Sequence, residues 1–468
     1  MTGTSTRQVS IFRDPYRTPT AAILIIITLI AFEAMAVSAA LPTAARELHG
    51  LRFYGWAFTG FLLANVVGMV VSGQACDSRG PRPPLAVGMV CFIAGLVVAG
   101  TATTMAALVA GRVVQGLGGG LLITAVYVVI GETYPAGLQP KVFTATASAW
   151  VVPSLIGPLF SGLLTQHASW RWVFLGIAPF GVLGAVLLAM AVRRLPDRPS
   201  EHDSALADPW RIVHALAVAI GVALLETAGQ HRGLAAVGLL IVAVLVAGWG
   251  LHTLLPPGTA LVRPGVAAPV ALRGLLAGSF FGIEAVIPLS LSVQHGYGAT
   301  AAGLPLAGSG IGWALGSWWQ GRTRTQGDDT ARRVVLMRVG FALVAISAAG
   351  VGVAQQAASP AWLVYPAWVL AGFGAGLTMS TTSVLLLRHT TDADRGADSA
   401  ALQLSDATSG AITTGVAGVL IAAAVRHAIS YDTAFAVLAG AMTGVALLGA
   451  VVAGRAGAAP SAAQTPRP

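Results

Sequence analysis

Fourteen stretches of about twenty mostly apolar residues follow one another along this chain, each long enough to cross a hydrocarbon core as a helix. They centre on residues 20–41, 54–75, 84–104, 106–130, 142–164, 172–192, 212–228, 233–254, 267–293, 299–319, 334–354, 362–387, 397–425 and 434–454. Hydrophobic residues are 55% of the 468 and charged residues only 10%, against about 25% charged in soluble chains. Such a chain cannot cover a water-facing surface, so most of its surface faces lipid. The 57 Gly and 25 Pro are spread through apolar runs, which excludes disorder and collagen-like structure. The expected fold class is all-α and integral to the membrane.

The seventh and eighth spans are separated only by Gln230, His231 and Arg232; a re-entrant hairpin there would lower the count to twelve. Arg7, Arg13 and Arg17 precede the first span, and Ala36-Val37-Ser38-Ala39-Ala40 has the look of a cleavage site. That span is longer than a signal-peptide core and is interrupted by Glu33, so it reads as a retained helix. An inside N-terminus puts 21 of the 27 basic residues on the cytoplasmic side. Arg46, Arg52, Arg171, Arg232 and Arg426 stay outside, and Arg112 lies within a span. This bias satisfies the positive-inside rule and places both termini in the cytoplasm. The formal charge of +9 is thereby an address for the cell membrane, with no nucleic-acid partner implied. Cys76 and Cys91 are the only cysteines, too few for a disulfide framework or a metal site.

The spans group as six, two and six. The expected division is an N-terminal six-helix bundle over 1–195, an inserted two-helix hairpin with linkers over 196–258, a C-terminal six-helix bundle over 259–455 and a disordered cytoplasmic tail over 456–468. A weak internal repeat accompanies the two bundles. Phe32-Glu33-Ala34 in the first span parallels Ile283-Glu284-Ala285 in the ninth, and His49-Gly50 parallels His295-Gly296. Parallel repeats of this kind surround a central cavity.

Five ionisable residues fall inside spans: Glu33, Arg112, Glu226, Glu284 and Asp406. Each costs about 3 kcal/mol or more to insert, so such groups mark pathways. Glu33 and Arg112 lie about 14 and 10 Å below the outer face at the helical rise and could pair, either as a titratable site or as a static ion pair between helices. Glu284 has no basic neighbour within the membrane, which suits a cationic substrate or a second proton. Asp406, with Gln403 and Ser405 nearby, is a third proton site or a polar contact to the inner gate. Glu226, near the outer end of its span, is expected to snorkel to water. Asn65, Gln115, Tyr127 and Trp150 are candidate cavity liners, each equally suited to helix packing.

The first inner loop reads Gly73-Gln-Ala-Cys-Asp77-Ser-Arg79-Gly80-Pro-Arg82. Its glycines allow close packing and a sharp turn, and its charges can bridge helix ends. Arg112-Val-Val-Gln115-Gly116-Leu-Gly118-Gly-Gly120 follows in the fourth span, Pro153-Ser-Leu-Ile-Gly157-Pro158-Leu-Phe-Ser161-Gly162 in the fifth, and Ser169-Trp-Arg-Trp-Val-Phe174 opens the sixth. Gly116 to Gly120 is no dinucleotide loop, since an apolar run encloses it and no strand precedes it. The 392–398 segment lacks the Glu spacing of a calcium loop. No metalloprotease, P-loop or nucleophile-elbow sequence points to an enzyme.

In this order, the motifs resemble those of the major facilitator superfamily, most closely its fourteen-span drug:proton antiporters, over about 180 residues. The resemblance implies two six-helix bundles rocking about a midplane site, with no cofactor, a small lipophilic or cationic substrate, protons and membrane lipid as partners, and a monomer. It implies proton coupling at Glu33, Arg112 and Asp406, substrate contacts at Glu284, Asn65, Gln115, Tyr127 and Trp150, and an inner gate at Gly73, Asp77, Gly80 and Arg82. Pro153, Gly157, Pro158 and Gly162 stand for the antiporter motif, whose first glycine is Pro153 here and one of whose paired glycines is Ser161. The first-span acid is Glu33 where the relatives usually carry Asp, and Ala178 replaces an Asn before the sixth-span Pro179. A proton-linked metabolite importer and a transport-inactive sensor or scaffold remain alternatives.

Overall fold

The computed structural model describes residues 10–135, 138–192, 209–231, 233–322, 330–390 and 395–458. In lipid every backbone N–H and C=O must be satisfied within the chain, and the described residues do so as helices. The N-terminal half holds α1 (Arg17–Glu47), α2 (Tyr54–Arg79), α3 (Arg82–Gly100), α4 (Met105–Thr133), α5 (Gln139–Ser148), α6 (Val151–His167), α7 (Arg171–Leu175) and α8 (Ala178–Val192). The hairpin is α9 (Pro209–Ala228) and α10 (Leu234–Leu254). The C-terminal half holds α11 (Ala267–Glu284), α12 (Ile287–Gln294), α13 (Ala299–Arg322), α14 (Thr330–Ala354), α15 (Val364–His389), α16 (Arg395–Val425) and α17 (Tyr431–Val452).

Twelve helical stretches among the described residues are long and apolar enough to cross a membrane, fewer than the fourteen expected. The hairpin, the pair singled out from its short loop, is among the twelve. The spans that drop out are the fifth and the tenth. The fifth is broken into α5 and α6, where Pro153 has no N–H to offer the carbonyl of Ala149. The tenth is the continuous α13, whose apolar character is diluted by Gly303, Gly308, Gly310, Gly312 and Gly316 and by Trp318 and Trp319. The proposed domain boundary at 195/196 lies outside the described residues, as do 459–468 of the expected tail. The start of that tail is ordered: Ala456 is buried and its carbonyl meets His389 Nε2 at 2.9 Å.

The two halves share a packing device. In α4, Gly116 and Gly120 press on the α2 backbone at Phe61 and Asn65, while Gly118 presses on α3 at Gly88 and Phe92. In α15, Gly372 and Gly376 press on the α13 backbone at Ser309 and Trp313, while Gly374 presses on α14 at Gly340. A Cβ at any of these six positions would run into a neighbouring main chain, so only glycine permits helices this close. Through this correspondence α2, α3 and α4 match α13, α14 and α15.

Two seams join the halves, α2 on α16 and α6 on α13, and α1 also touches α12 and α13. Contact between α6 and α13 runs from Gly162 against Thr300 to Ser154 against Gly310. At one end the halves are tied by hydrogen bonds from Tyr54 Oη to Ala285 O (2.7 Å), Arg46 Nη1 to Ser292 Oγ (2.7 Å) and Thr300 Oγ1 to Gln166 Oε1 (2.9 Å). The hairpin leans across the first seam, with α9 against both α2 and α16. Its second helix faces outward, leaving Leu234, Val237, Ile241, Val244 and Leu245 exposed.

Candidate functional site

Helix α1 carries Glu33, which is fully buried, to Arg112 on α4, and the two form an ion pair through Arg112 Nη1 and Glu33 Oε1. Arg112 also donates to Gln115 Oε1 (2.9 Å), one helical turn on, and through Nε to Ala57 O on α2 (3.0 Å). Its guanidinium lies over the Phe61 ring, 4.2 Å from the centroid. These contacts tie α1, α2 and α4 at one point and fix the guanidinium. Glu33 Oε2 is buried without a hydrogen-bond partner.

Glu284 ends α11, where the ninth span is interrupted. Pro288 opens α12 and has no N–H for the Glu284 carbonyl, and Tyr54 from α2 satisfies the carbonyl of Ala285. Broken helices place irregular backbone and polar groups where a substrate can reach them. The Glu284 side chain is 6% exposed and stands beside the indole N–H of Trp368 on α15. Phe280 stacks on Trp368 at 4.8 Å between centroids and meets Trp313 edge-on at 5.5 Å. An aromatic wall therefore flanks this acid. Trp368 is not legible as its neighbour, because a buried acid signals a base and not an indole.

Asp406 on α16 is not solitary. Arg273 on α11 grips it through Nε at 2.8 and 2.7 Å, and Arg273 Nη1 donates to Met379 O and Ser383 Oγ, both at 3.2 Å. Arg273, counted among the cytoplasmic arginines, is instead only 7% exposed and inside the C-terminal half. Tyr127 on α4 faces this pair from the other half, within electrostatic range of both Arg273 and Asp406. Gln403 Nε2 reaches Tyr127 Oη at 3.4 Å.

The remaining candidates are distributed differently. Gln115 is fully buried in the Arg112 network, and Asn65 is taken up between α2 and α4, donating to Gly116 O at 3.4 Å. Trp150 is half-buried at the break between α5 and α6. Gly157 on α6 faces α1 at Met35, and Pro158 faces Gly303 on α13. Ser161, at a usual glycine position, donates to Ala36 O of α1 at 2.5 Å. The antiporter-like stretch thus lies between α1 and α13, next to the Glu33 turn. Gly80 ends α2 with φ +75°, a conformation that favours glycine. Asp77 is exposed, and among the described residues nothing lies within 4 Å of where a Gly73 Cβ would sit, so the close packing expected at Gly73 is not formed here. Arg82 is half-buried at the start of α3.

Glu226 corrects a second expectation. It is 2% exposed and enters the seam between α2 and α16 without reaching water. Among the described residues no three His, Cys, Asp or Glu side chains gather as a metal site requires.

Known proteins resemble this arrangement. The family model described as Major Facilitator Superfamily matches residues 23–413. A protein of Mycobacterium tuberculosis named "probable multidrug-efflux transporter" is 29% identical over 425 residues, covering 86% of this chain and 88% of its own. An efflux transporter of Aspergillus oryzae is 33% identical over 172 residues, covering 37% of this chain and 31% of its own. Among solved structures, a POT peptide transporter in complex with sulfate superposes with a TM-score of 0.66 at 17% identity, covering 95% of this chain and 96% of that one. A POT family transporter in complex with 5-aminolevulinic acid gives 0.64 at 15% identity, covering 92% and 94%.

Proposed function

Because the chain belongs to the Major Facilitator Superfamily, we propose that it is an efflux transporter that exchanges lipophilic compounds for protons by alternating access. The observation that carries this reading is the pair of Glu33 and Arg112, buried between α1 and α4, with one carboxylate oxygen left unbonded. A proton arriving at that oxygen neutralises the acid and releases α1 from the arginine. Arg112 keeps its bonds to Ala57 and Gln115, so α4 and α2 stay together while α1 is freed. Helix α1 packs on α6, which packs on α13, giving the freed helix a path to the second half.

Substrate is taken at Glu284, where an acid beside Phe280, Trp313 and Trp368 suits a lipophilic cation through charge and ring faces. Tyr127, Asn65 and Trp150 are the first half's proposed substrate contacts. Gly157 and Pro158 keep α6 tight against α1 and favour export over uptake. Asp77 and Arg82 latch the inner face when the outer face opens, which would bring Gly73 into the close packing that it lacks in the present state. Asp406 with Arg273 serves the inner gate. On this reading, α5 with α6 and α13 complete fourteen spans, and both termini lie in the cytoplasm of a cell whose plasma membrane holds the protein as a monomer.

Proteoliposomes with an imposed pH gradient test the proposal. Substrate addition should move protons in the opposite direction, and Glu33→Gln should abolish that movement while leaving substrate binding. Gradient-driven accumulation in the proton's direction would make the protein an importer, and binding without flux would remove both transport readings.

A further inference from the structure

Among the described residues, Glu226 is the one acid whose two carboxylate oxygens are both buried without a hydrogen-bond partner. Its side chain leaves α9 and fills the gap where α2 crosses α16. Gly55 on α2 and Gly418 on α16 line that gap, and a Cβ on either would collide with Oε1. Gly415 lies one turn before Gly418, where a Cβ would come within 3.8 Å of the Glu226 Cγ. The slot is thus shaped for this side chain by the two missing at Gly55 and Gly418. The polar side chain beside it is Thr59, itself fully buried.

Among the described residues no cation answers this acid. Arg52, three residues before Gly55, lies over the Phe53 ring at 4.7 Å, and on α2 the charged groups Asp77 and Arg79 lie at the other end, about 33 Å from Gly55 at the helical rise. Tyr54 gives its proton to Ala285 O. On α16, Asp406 is held by Arg273 about 18 Å from Gly418, and Arg426 is turned to Gly229 O; His427 is exposed beyond it. On α9, His214 lies three turns away against Trp249 and Arg211 is at the far end. His252 sits at the far end of α10, and His231 is exposed in the turn. A charged carboxylate here would lack water and a described counter-ion, with the Thr59 hydroxyl as its one polar neighbour, an arrangement that folded proteins avoid by protonation.

We infer that the hairpin places a proton-binding site on the outer seam: Glu226 carries a proton while α2 and α16 are closed on it and gives it to outside water when they part. The closed form then binds one proton more than the open form. By linkage, low external pH favours the closed seam and high external pH favours opening. The inserted hairpin becomes a proton-sensitive clasp on the seam, distinct from Glu33. The opening step rests on the alternating-access reading, whereas the protonation belongs to the closed form and is measured without substrate or gradient.

Two measurements on the full chain test this. Infrared spectra of the purified protein at neutral pH should contain a protonated-carboxyl C=O band that disappears in Glu226→Gln and shifts in Thr59→Val, which keeps the carboxyl. A carboxyl region unchanged by either substitution overturns the assignment, and the Thr59 variant decides the matter if Glu226→Gln does not fold. Spin labels at Arg52→Cys and His427→Cys, in a background of Cys76→Ser and Cys91→Ser, report the outer seam. Raising pH from about 5 to about 9, a range spanning the ionisation of buried carboxyls, should lengthen the label distance in the parent. Glu226→Gln should stay short and lose that response. A full response in Glu226→Gln sinks the clasp, and loss of coupled transport in Glu33→Gln bears only on the exchange reading.

Discussion

The two halves of the protein present an acid at matching places and answer it differently. Glu33 in α1 meets Arg112, four residues before Gly116 on α4; Glu284 in α11 meets Trp368, four residues before Gly372 on α15. Gly116 presses on Phe61 of α2 and Gly372 on Ser309 of α13, so the two partners occupy the same step of one packing scheme. In the first half the partner is a permanent cation, and the acid is balanced when charged. In the second it is a neutral indole beside Phe280 and Trp313. An acid with no resident cation is the place where a charged guest gains most. Under the proposed exchange, the arginine-for-tryptophan difference would divide the labour between a coupling half and a binding half.

The largest effect that would break this division comes from removing each acid's charge. Glu33→Gln should reduce proton-linked efflux of every substrate to background. Glu284→Gln should do so for cationic compounds and spare neutral ones, as compound-panel flux in proteoliposomes would reveal. Equal loss across the panel in both variants would erase the distinction. Next comes the stability of the partners. Arg112→Met strands a buried acid and should cost about 3–5 kcal/mol in micelle unfolding, with Glu33→Leu/Arg112→Met recovering most of that but no transport. Trp368→Phe removes the indole N–H beside Glu284, which makes no hydrogen bond of normal geometry, and should cost at most about 1 kcal/mol.

A smaller effect tests whether the halves are repeats at all. Gly116→Ala and Gly372→Ala each force a methyl into a facing backbone, so each should destabilise by about 1–3 kcal/mol. If thermal unfolding shows one strongly affected and the other neutral, the shared packing scheme fails.

Much of this was legible because buried charge is scarce in such a sequence. Glu33 and Arg112 share a depth on helices that the superfamily-like order brings together, and the parallel with Glu284 was visible in three residues. The glycine series at Gly372, Gly374 and Gly376 carries the repeat more clearly, yet it is hidden in a chain with 57 glycines. Arg273 was assigned to the cytoplasm because the positive-inside rule treats an arginine near a span end as an address. The signal that would have found it is Asp406, a buried acid in need of a partner. Glu226 was sent to water because depth along a helix says nothing about which neighbour the helix leans on. The hairpin's position across the α2–α16 seam is a tertiary fact, and no local pattern encodes it.

The smallest effect concerns the point where the halves touch near the Arg273–Asp406 pair. Tyr127 from α4 is 37% exposed, faces Arg273 and Asp406, and accepts from Gln403 at 3.4 Å. Tyr127→Phe keeps the ring and removes the hydroxyl, so one long, half-exposed hydrogen bond is lost. That is about 1 kcal/mol at most, or about a fivefold change in an equilibrium. If the Arg273–Asp406 pair serves the gate, the change should appear as a shift between inward and outward forms, read by labels across the inner face, with substrate affinity unaltered. If it belongs to the binding site, affinity should fall by that factor and the conformational balance should hold. The two readouts separate a gate in the second half from an extension of the Glu284 site.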